Sequence, residues 1–267
     1  MLESLSDANS IYPTDNSDTL LTPVEEREEA MTLDKAKQIR QDYQKLLAEI
    51  KAKRGQIKEE YQGASSERKK ELVGEAGEYV FSIMTERMFP LWHGTRWDFN
   101  GVTEEPKPEF EGVEGTPRED CIACGVFVST ALVHAGFNLS RSGYAQQPSG
   151  YIIRNLTSRE SIIDFSNSAP VEKIQKKMEE WGKGLYITGL DCHVGFLVND
   201  GENVNFVHSS YYNPPFCVVT NTLDGWNPFA HSKYRMIGKI LSDEMMGKWI
   251  QGEKFPLVYD WFKEKKK

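Results

Sequence analysis

The chain of 267 residues is 39% hydrophobic and 27% charged, which is enough to bury one sizeable core and leave an appendage. Its formal net charge of −8 argues against a general nucleic-acid binder, and no apolar run approaches the roughly 18 residues of a membrane-spanning helix. Its 4 cysteines are too sparse for a disulfide scaffold, so a reducing compartment is the simpler interpretation. The first residues lack the basic start and apolar centre of a signal peptide. We therefore expect a cytoplasmic protein by default, with export left open.

The N-terminal part of the chain is predicted to be a tail followed by two helices. Residues 1–30 are rich in Ser, Asp, Thr and Glu and are predicted to form a disordered tail. Apolar residues recur about every 3.5 positions over Leu33–Tyr61, and a second helical face covers Leu72–Met88. We assign residues 31–74 to a helical extension and residues 75–267 to the main domain. The two helices form a hairpin that either packs on the core or projects from it as a coiled coil for a protein partner.

Aromatic residues and glycine replace regular periodicity over residues 89–101. Such a segment usually wraps a site or closes an edge of the core. We take Trp97, Asp98 and Asn100 as candidates for binding the substrate in a cleft, with aromatic filling of the core as the alternative. A long acidic loop follows over residues 102–119, and loops of this length inside a domain tend to be functional or mobile.

The stretch from Cys124 to Gly136 predicts an amphipathic helix that begins at a cysteine. Apolar or small side chains recur at helical spacing at Cys124, Phe127, Val128, Ala131, Leu132 and Ala135. Gly136 is a suitable residue to end the helix. The unpaired N–H groups and the dipole of the first turn favour a thiolate at Cys124. We therefore expect a nucleophile there, and a buried structural cysteine is the alternative.

Downstream of this helix the pattern changes to short elements. Residues 137–150 are predicted to be a loop, and residues 151–154 and 162–165 to be short strands or the start of a helix. A helix is predicted over Val171–Trp181, ending at Gly182. Strands are predicted by β-branched and aromatic content over Gly184–Leu190, His193–Val198 and Val204–Ser210, with further strands around Val218 and Tyr234 and a terminal helix over Ser242–Ile250.

Asp200-Gly201 lies between two of these strands and is a strong signal for a two-residue type I′ turn. If these two residues form the loop, His193 lies directly opposite His208, with Cβ atoms roughly 4.5–5.5 Å apart on one face of the sheet. A bulge would shift the register by one residue and break this pairing. The turn chemistry therefore predicts two neighbouring imidazoles.

A helix-start cysteine and two neighbouring histidines are the groups that a cysteine hydrolase needs. One histidine takes the thiol proton and returns it to the leaving amine, while a third polar group fixes the orientation of its ring. Backbone N–H groups at the helix start, including that of Cys124, are suited to stabilise an oxyanion. The remaining histidines, His93, His134 and His231, are expected to be structural or exposed.

A zinc site is the alternative from a different class of function. Cys121, Cys124 and Cys192, together with the two histidines, supply enough ligands. Against this alternative, Cys192 and His193 are adjacent on a predicted strand and so point to opposite faces. The sequence also contains no second Cys-x-x-Cys pair.

The residues of this site resemble the NlpC-type cell-wall cysteine peptidases, a papain-like superfamily. The family's first block runs Asp-Cys-Ser-Gly-Phe-Val and continues into an apolar helix that ends in Ala-Gly. That spacing is kept by Cys124, Phe127, Val128, Leu132, Ala135 and Gly136. It selects Cys124 rather than Cys121 as the nucleophile. The family's second block is similar to His193-Val-Gly-Phe and Phe206-Val-His-Ser.

The resemblance covers residues 120–210 and includes three differences from the family's first block. Ala123 stands where the family has Asp, Gly125 where it has Ser, and Val126 where it has Gly.

The resemblance implies an α+β, papain-like fold in which the catalytic helix packs on an antiparallel sheet. It implies Cys124 as nucleophile, His193 as base and His208 as the orienting residue of a cysteine peptidase or amidase. The favoured substrates are then peptides or peptidoglycan fragments, cleaved at amide bonds of the stem peptides of bacterial peptidoglycan. We expect no cofactor and no metal. Two alternatives stay open: a catalytically silent papain-like module that binds a protein partner, and a zinc-binding domain that uses Cys121 and Cys124.

Overall fold

Helices cover both faces of an antiparallel sheet in this chain, so the protein belongs to the α+β class. The computed structural model describes residues 23–108, 118–165, 169–212 and 214–258, with side chains described from residue 34 onward. Within these ranges, no helix combines the length and the apolar character needed to cross a membrane.

The elements are numbered in chain order. The helices are α1 (Pro23–Gly63), α2 (Ser66–Ser82), α3 (Phe89–Trp92), α4 (Cys124–His134), α5 (Arg141–Ala145), α6 (Ser149–Leu156), α7 (Val171–Trp181), α8 (Pro228–His231) and α9 (Asp243–Gln251). The strands are β1 (Asn138–Leu139), β2 (Ile162–Phe165), β3 (Gly184–Leu190), β4 (Val194–Asn199), β5 (Val204–Ser209), β6 (Val218–Thr222), β7 (Arg235–Lys239) and β8 (Lys254–Phe255). A π-helical turn, Ile83–Met88, joins α2 to α3.

The main sheet has six strands in the order β2-β7-β3-β4-β5-β6, and every neighbouring pair is antiparallel. Side chains alternate between its two faces, as the pleat requires. On β4, Val194 and Phe196 join a core cluster that contains α1, α2, α4 and α9, whereas Leu197 joins a second cluster with α7 and α8. The sheet is therefore the middle layer between two sets of helices.

The helix that begins at Cys124 packs on this sheet. The Phe127 ring lies edge-on against Phe196 of β4, with ring centroids 6.1 Å apart. The predicted helix is confirmed: it starts at Cys124 and ends before Gly136, whose φ of +97° places it in the left-handed region that glycine tolerates.

The two N-terminal helices contribute to the same core as α4. Of the two arrangements that the sequence left open, the structure has the packed one, because the apolar positions of α1 and α2 lie in one buried cluster with the sheet. The buried Tyr43 hydroxyl on α1 accepts a hydrogen bond from Trp92 Nε1 and lies 2.8 Å from His134 Nδ1 on α4. Helix α1 begins at Pro23, earlier than the predicted Leu33, and the rest of the predicted tail, residues 1–22, lies outside the described residues.

Two predicted elements differ from the structure. The predicted loop over residues 137–150 contains β1 and α5, and α5 is capped by Ser140, whose hydroxyl accepts from the N–H of Gly143. Of the two alternatives for residues 151–154, the structure has the helical one, because they lie in α6, where Ile152, Ile153 and Leu156 are buried. The segment after Met88, predicted to be irregular, starts with α3.

The predicted register of the β4–β5 hairpin is wrong by two residues. Asn199 pairs with Val204, so the loop has four residues rather than two. The Asp200 carboxylate accepts hydrogen bonds from the N–H groups of Glu202 and Asn203, and this side-chain turn replaces the type I′ turn. A shift of two residues keeps every side chain on its face, so His193 and His208 remain neighbours, but diagonally rather than directly opposite.

Candidate active site

Cys124 is the first residue of α4 and follows an extended residue, Ala123, that offers no side-chain cap. Since alanine has no side-chain oxygen, the N–H groups of the first turn are left without a capping side chain. The Sγ atom lies close enough to the backbone N–H groups of Val194, Gly125 and Cys124 itself for them to lower its pKa. The helix start and the beginning of β4 therefore meet at this sulfur.

The helix start at Cys124 is expected to favour a thiolate, and burial opposes this effect. Burial raises the pKa of the Cys124 thiol, and this effect is larger than the opposing effect of the backbone N–H groups. The helix start alone favours the thiolate, but the packing around the half-buried Cys124 disfavours the charged form of its sulfur. The structure therefore favours a neutral thiol at Cys124.

Glycine at position 125 is explained by close backbone packing. A Cβ atom on Gly125 would lie 2.6 Å from the carbonyl oxygen of Ala145, at the end of α5. The serine that the resembled family has at this position would collide with that carbonyl. Gly125 therefore lets α5 close against the first turn of α4.

His193 and His208 are joined by a hydrogen bond. His193 Nε2 lies 2.8 Å from His208 Nδ1, and the two rings are edge-on with centroids 4.9 Å apart. His193 lies in the turn between β3 and β4, one residue before the strand in which it was predicted, and His208 lies within β5. The His208 ring stacks on Phe206 with centroids 4.0 Å apart, and its Nε2 lies 2.8 Å from Asn221 Oδ1 on β6.

Gly195 provides the space for the His208 side chain. A Cβ atom on Gly195 would lie 2.6 Å from the Phe206 ring, 2.8 Å from His208 Cβ and 2.9 Å from the carbonyl oxygen of Val207. Glycine at position 195 is therefore required by packing against β5.

Both imidazoles are neutral at neutral pH. Burial, assisted by the neighbouring His208, lowers the pKa of His193 well below its usual range. Burial lowers the pKa of His208 to about 4, against the opposing effect of the hydrogen bond to Asn221. The Nδ1 atom of His193 is buried and has no hydrogen-bond partner within the described part of the chain.

Two cavities meet at Cys124. The first, of about 400 Å³, is lined by Cys124 and His193 together with Gln147, Ser149, Tyr151, Arg154, Asp191, Cys192 and Tyr234, among others. The second, of about 770 Å³, is lined by Cys124 together with Trp97, Phe99, Asn100, Arg118, Arg141, Cys192 and Tyr211, among others. A bound molecule has space on two sides of the sulfur.

The aromatic segment proposed for the cleft contributes two of its three candidates to the second cavity. Trp97 and Asn100 line it, whereas Asp98 does not. The Asp98 carboxylate instead accepts a hydrogen bond of 2.7 Å from the N–H of Asn100 and shapes the turn between them.

The same segment holds the chain that leads into α4. The N–H groups of Ile122 and Ala123 donate to the carbonyl oxygens of Arg96 and Gly101 over 2.8 and 3.0 Å. A Cβ atom on Gly101 would lie 2.5 Å from the backbone of Cys121, so only glycine fits this approach. On the other side, the Ser209 hydroxyl of β5 donates to the Ile122 carbonyl over 2.7 Å.

Two residues of the site were not predicted from the sequence. Tyr211 lines the second cavity and places its ring 5.1 Å from that of His193 and 5.7 Å from that of Trp97. Asn221 ends the chain of hydrogen bonds from the histidines. Tyr211 directly follows the predicted strand Val204–Ser210, which carries His208. A polar aromatic residue at that position could have indicated a role in the site. No comparable signal marks Asn221.

The remaining histidines have local partners away from Cys124. His134 contacts the Tyr43 hydroxyl, His93 Nε2 lies 2.9 Å from Thr220 Oγ1, and His231 Nδ1 lies 3.0 Å from the Asn227 carbonyl. Among the described side chains, no group of three or more His, Cys, Asp and Glu residues could hold a metal ion. The alternative zinc site built on Cys121 and Cys124 therefore has no structural support in the described ranges.

Comparison with known proteins gave no match: no family model, no curated protein and no solved structure matches this chain.

Proposed function

We propose that the protein is a papain-like cysteine hydrolase of the NlpC type that cleaves amide bonds with Cys124, His193 and His208. One observation carries this proposal. His193 uses Nε2 for the hydrogen bond to His208, and its buried Nδ1 has no hydrogen-bond partner among the described residues and belongs to a cavity that Cys124 also lines. A buried imidazole nitrogen without a partner costs free energy unless another group uses it. The Cys124 thiol is the group suited to use it.

The reaction begins with proton transfer from the Cys124 thiol to His193 Nδ1 as Sγ bonds to the substrate's carbonyl carbon. The carbonyl oxygen becomes an oxyanion, and uncapped backbone N–H groups at the start of α4 stabilise it. His193 then gives its proton to the amine nitrogen while the carbon–nitrogen bond breaks. Water hydrolyses the resulting thioester, with its proton returning through His193 to the departing sulfur.

The resting site holds no ion pair in this proposal. Burial raises the pKa of Cys124 and lowers the pKa of His193, so each group is disfavoured as an isolated charge. Proton transfer between them leaves the pair neutral overall, and it is assisted by the hydrogen bond that joins His193 to His208. We expect proton transfer to accompany attack rather than to precede it.

Stem peptides of bacterial peptidoglycan are the proposed substrates. The support for them is the resemblance of the two sequence blocks, together with a cleft that extends to both sides of Cys124. Arg154 lines one cavity and Arg118 lines the other, and their guanidinium groups suit a peptide that carries carboxylates.

The test combines cleavage with thiol reactivity in the full-length chain. Wild-type protein is incubated with purified peptidoglycan fragments and the products are identified by mass spectrometry. We expect cleavage that is lost in Cys124→Ala and kept in Cys192→Ala, the matched control, because Cys192 is an exposed thiol that lines both cavities. In parallel, peptide mapping follows alkylation of Cys124 by iodoacetamide at pH 7. His193→Ala should slow it by about 10²-fold, since it removes the base.

Two outcomes would contradict parts of the proposal. If Cys124 alkylation depends on His193 but no peptidoglycan fragment is cleaved, the thiol hydrolase stands and the substrate is wrong. If alkylation is unaffected by His193→Ala, the hydrolase itself is wrong, and the silent papain-like module becomes the better description.

A further inference from the structure

We propose that Asn221 is a positioning residue that fixes the tautomers of both histidines and so makes His193 Nδ1 the proton acceptor. This inference rests on the proposed function, because it assigns a task to a residue behind the base. Asn221 lies on β6, and its Oδ1 atom is 2.8 Å from His208 Nε2.

The direction of the hydrogen bonds follows from the chemistry of the terminal oxygen. An amide oxygen accepts and cannot donate, so His208 Nε2 must carry a proton. A neutral imidazole has one N–H, and His208 Nδ1 is therefore an acceptor. His193 Nε2, 2.8 Å away, must then donate. That leaves His193 Nδ1 without a proton, as a base requires.

The two histidines alone do not select this direction. A hydrogen bond between two neutral imidazoles is equally satisfied if His208 donates to His193. In that arrangement His193 Nδ1 would carry the proton and could not take one from Cys124. The choice is made by the group at the far end of the chain, which is Asn221.

The surroundings hold the His208 ring where Asn221 can reach it. The ring lies flat on Phe206, with an interplanar angle of 12°, and Phe206 is the residue paired with Asn221 across the β5–β6 ladder. His208 is fully buried, so water does not compete for Nε2. Phe206 thus fixes the plane of the ring, and Asn221 fixes which nitrogen carries the proton.

The first test is direct observation of the tautomers. Long-range ¹H–¹⁵N spectra of the wild-type imidazoles at pH 7, assigned with His193→Gln and His208→Gln, distinguish protonated from unprotonated ring nitrogens. We expect Nε2–H and bare Nδ1 on both histidines. Protonated Nδ1 on His193 in the resting wild-type protein would overturn the inference without reference to any activity.

The second test separates hydrogen-bond acceptance from mere packing. Asn221→Gln keeps an uncharged amide oxygen as acceptor and should keep both tautomers and the rate of Cys124 alkylation within about twofold of wild type. Asn221→Leu keeps the approximate size but removes the acceptor, and we expect alkylation at pH 7 to fall by about tenfold. Thr222→Val, at the adjacent exposed position of β6, is the control for general disturbance of the strand and should change neither.

The outcomes distinguish this inference from the proposed function. Unchanged tautomers and unchanged alkylation in Asn221→Leu would overturn the role of Asn221 even if His193 is essential. The expected tautomers in wild type, lost in Asn221→Leu, support that role even if no peptide is cleaved.

Discussion

The two walls of the candidate site are held by different kinds of interaction. On the helix wall, Cys124 has no capping side chain, and its sulfur faces backbone N–H groups. On the strand wall, His193 is placed by a chain of side-chain hydrogen bonds through His208 to Asn221. The helix wall therefore depends on close backbone packing, whereas the strand wall depends on the protonation of buried rings.

This difference says where each wall is sensitive. A side chain that is positioned by close backbone packing is displaced when a substitution adds a Cβ atom where a carbonyl or a ring already lies. Its position does not change with pH. A neutral imidazole chain is disturbed by protonation and by any change that moves one ring. Substitutions and acid should therefore affect the two walls unequally.

The largest effect is expected from Gly195→Ala. The new Cβ would collide with the Phe206 ring, with His208 Cβ and with the backbone of β5. No change of side-chain rotamer removes all three collisions. We expect a loss of about 1–3 kcal/mol in the free energy of unfolding. Displacement of His208 should also lower Cys124 alkylation at pH 7 by about 10²-fold, to the level of His193→Ala.

Gly74→Ala is the matched control for that substitution. Gly74 lies within α2 with open space around its Cβ position, so alanine there should stabilise the helix by about 0.8–1 kcal/mol and leave alkylation unchanged. Wild-type reactivity in Gly195→Ala would show that the strand wall does not position the base.

The second prediction concerns acid, which should act on the strand wall alone. The pKa of His208 is about 4 in the folded protein, against its ordinary value of 6.5, so the unfolded chain takes up a proton first as the pH falls. Stability due to His208 is fully present above pH 6.5 and is lost down to about pH 4. The loss is about 1.4 kcal/mol per pH unit from this ring, and His193 adds to it because its pKa is lowered in the same direction.

The measurement is the free energy of unfolding by urea at pH 7 and at pH 5. His208→Gln should lose less stability than wild type between these two values, whereas Cys124→Ser should lose as much as wild type, since the thiol does not titrate there. Equal losses in wild type and His208→Gln would contradict the burial of a neutral His208.

Much of this site could be predicted from local patterns in the sequence. The helical spacing after Cys124 predicts the helix, Gly136 predicts its end, and β-branched and aromatic content predicts the strands that carry the histidines. The face shared by His193 and His208 was also predicted, although the register was wrong. A register error of two residues leaves each side chain on the predicted face of the sheet. The Asp-Gly dipeptide alone does not show whether the Asp200 side chain forms its own turn in place of a type I′ turn.

The features that could not be predicted arise from contacts distant in the chain. The protonation of Cys124 depends on burial as well as on the helix start. Asn221 meets His208 only because β6 pairs with β5. The apolar spacing of α1 predicts a helix but does not say what it packs on. Its partners are α2 and α9, together with Trp92 and His134, which contact Tyr43.

The smallest effect is expected where the two walls are tied together. The buried Ser209 hydroxyl of β5 donates to the carbonyl of Ile122, two residues before Cys124. Ser209→Ala leaves that carbonyl without this donor and should lower the free energy of unfolding by about 1 kcal/mol. This hydrogen bond joins the strand that carries His208 to the segment that leads into Cys124. Cys124 alkylation should therefore also slow, by a few-fold.

Ser129→Ala is the control, since the equally buried Ser129 hydroxyl donates to the Val126 carbonyl within α4 and links no second element to that helix. It should leave alkylation at the wild-type rate. If Ser209→Ala lowers stability without slowing alkylation, each wall is positioned by its own packing, and the Ser209–Ile122 hydrogen bond contributes to stability alone.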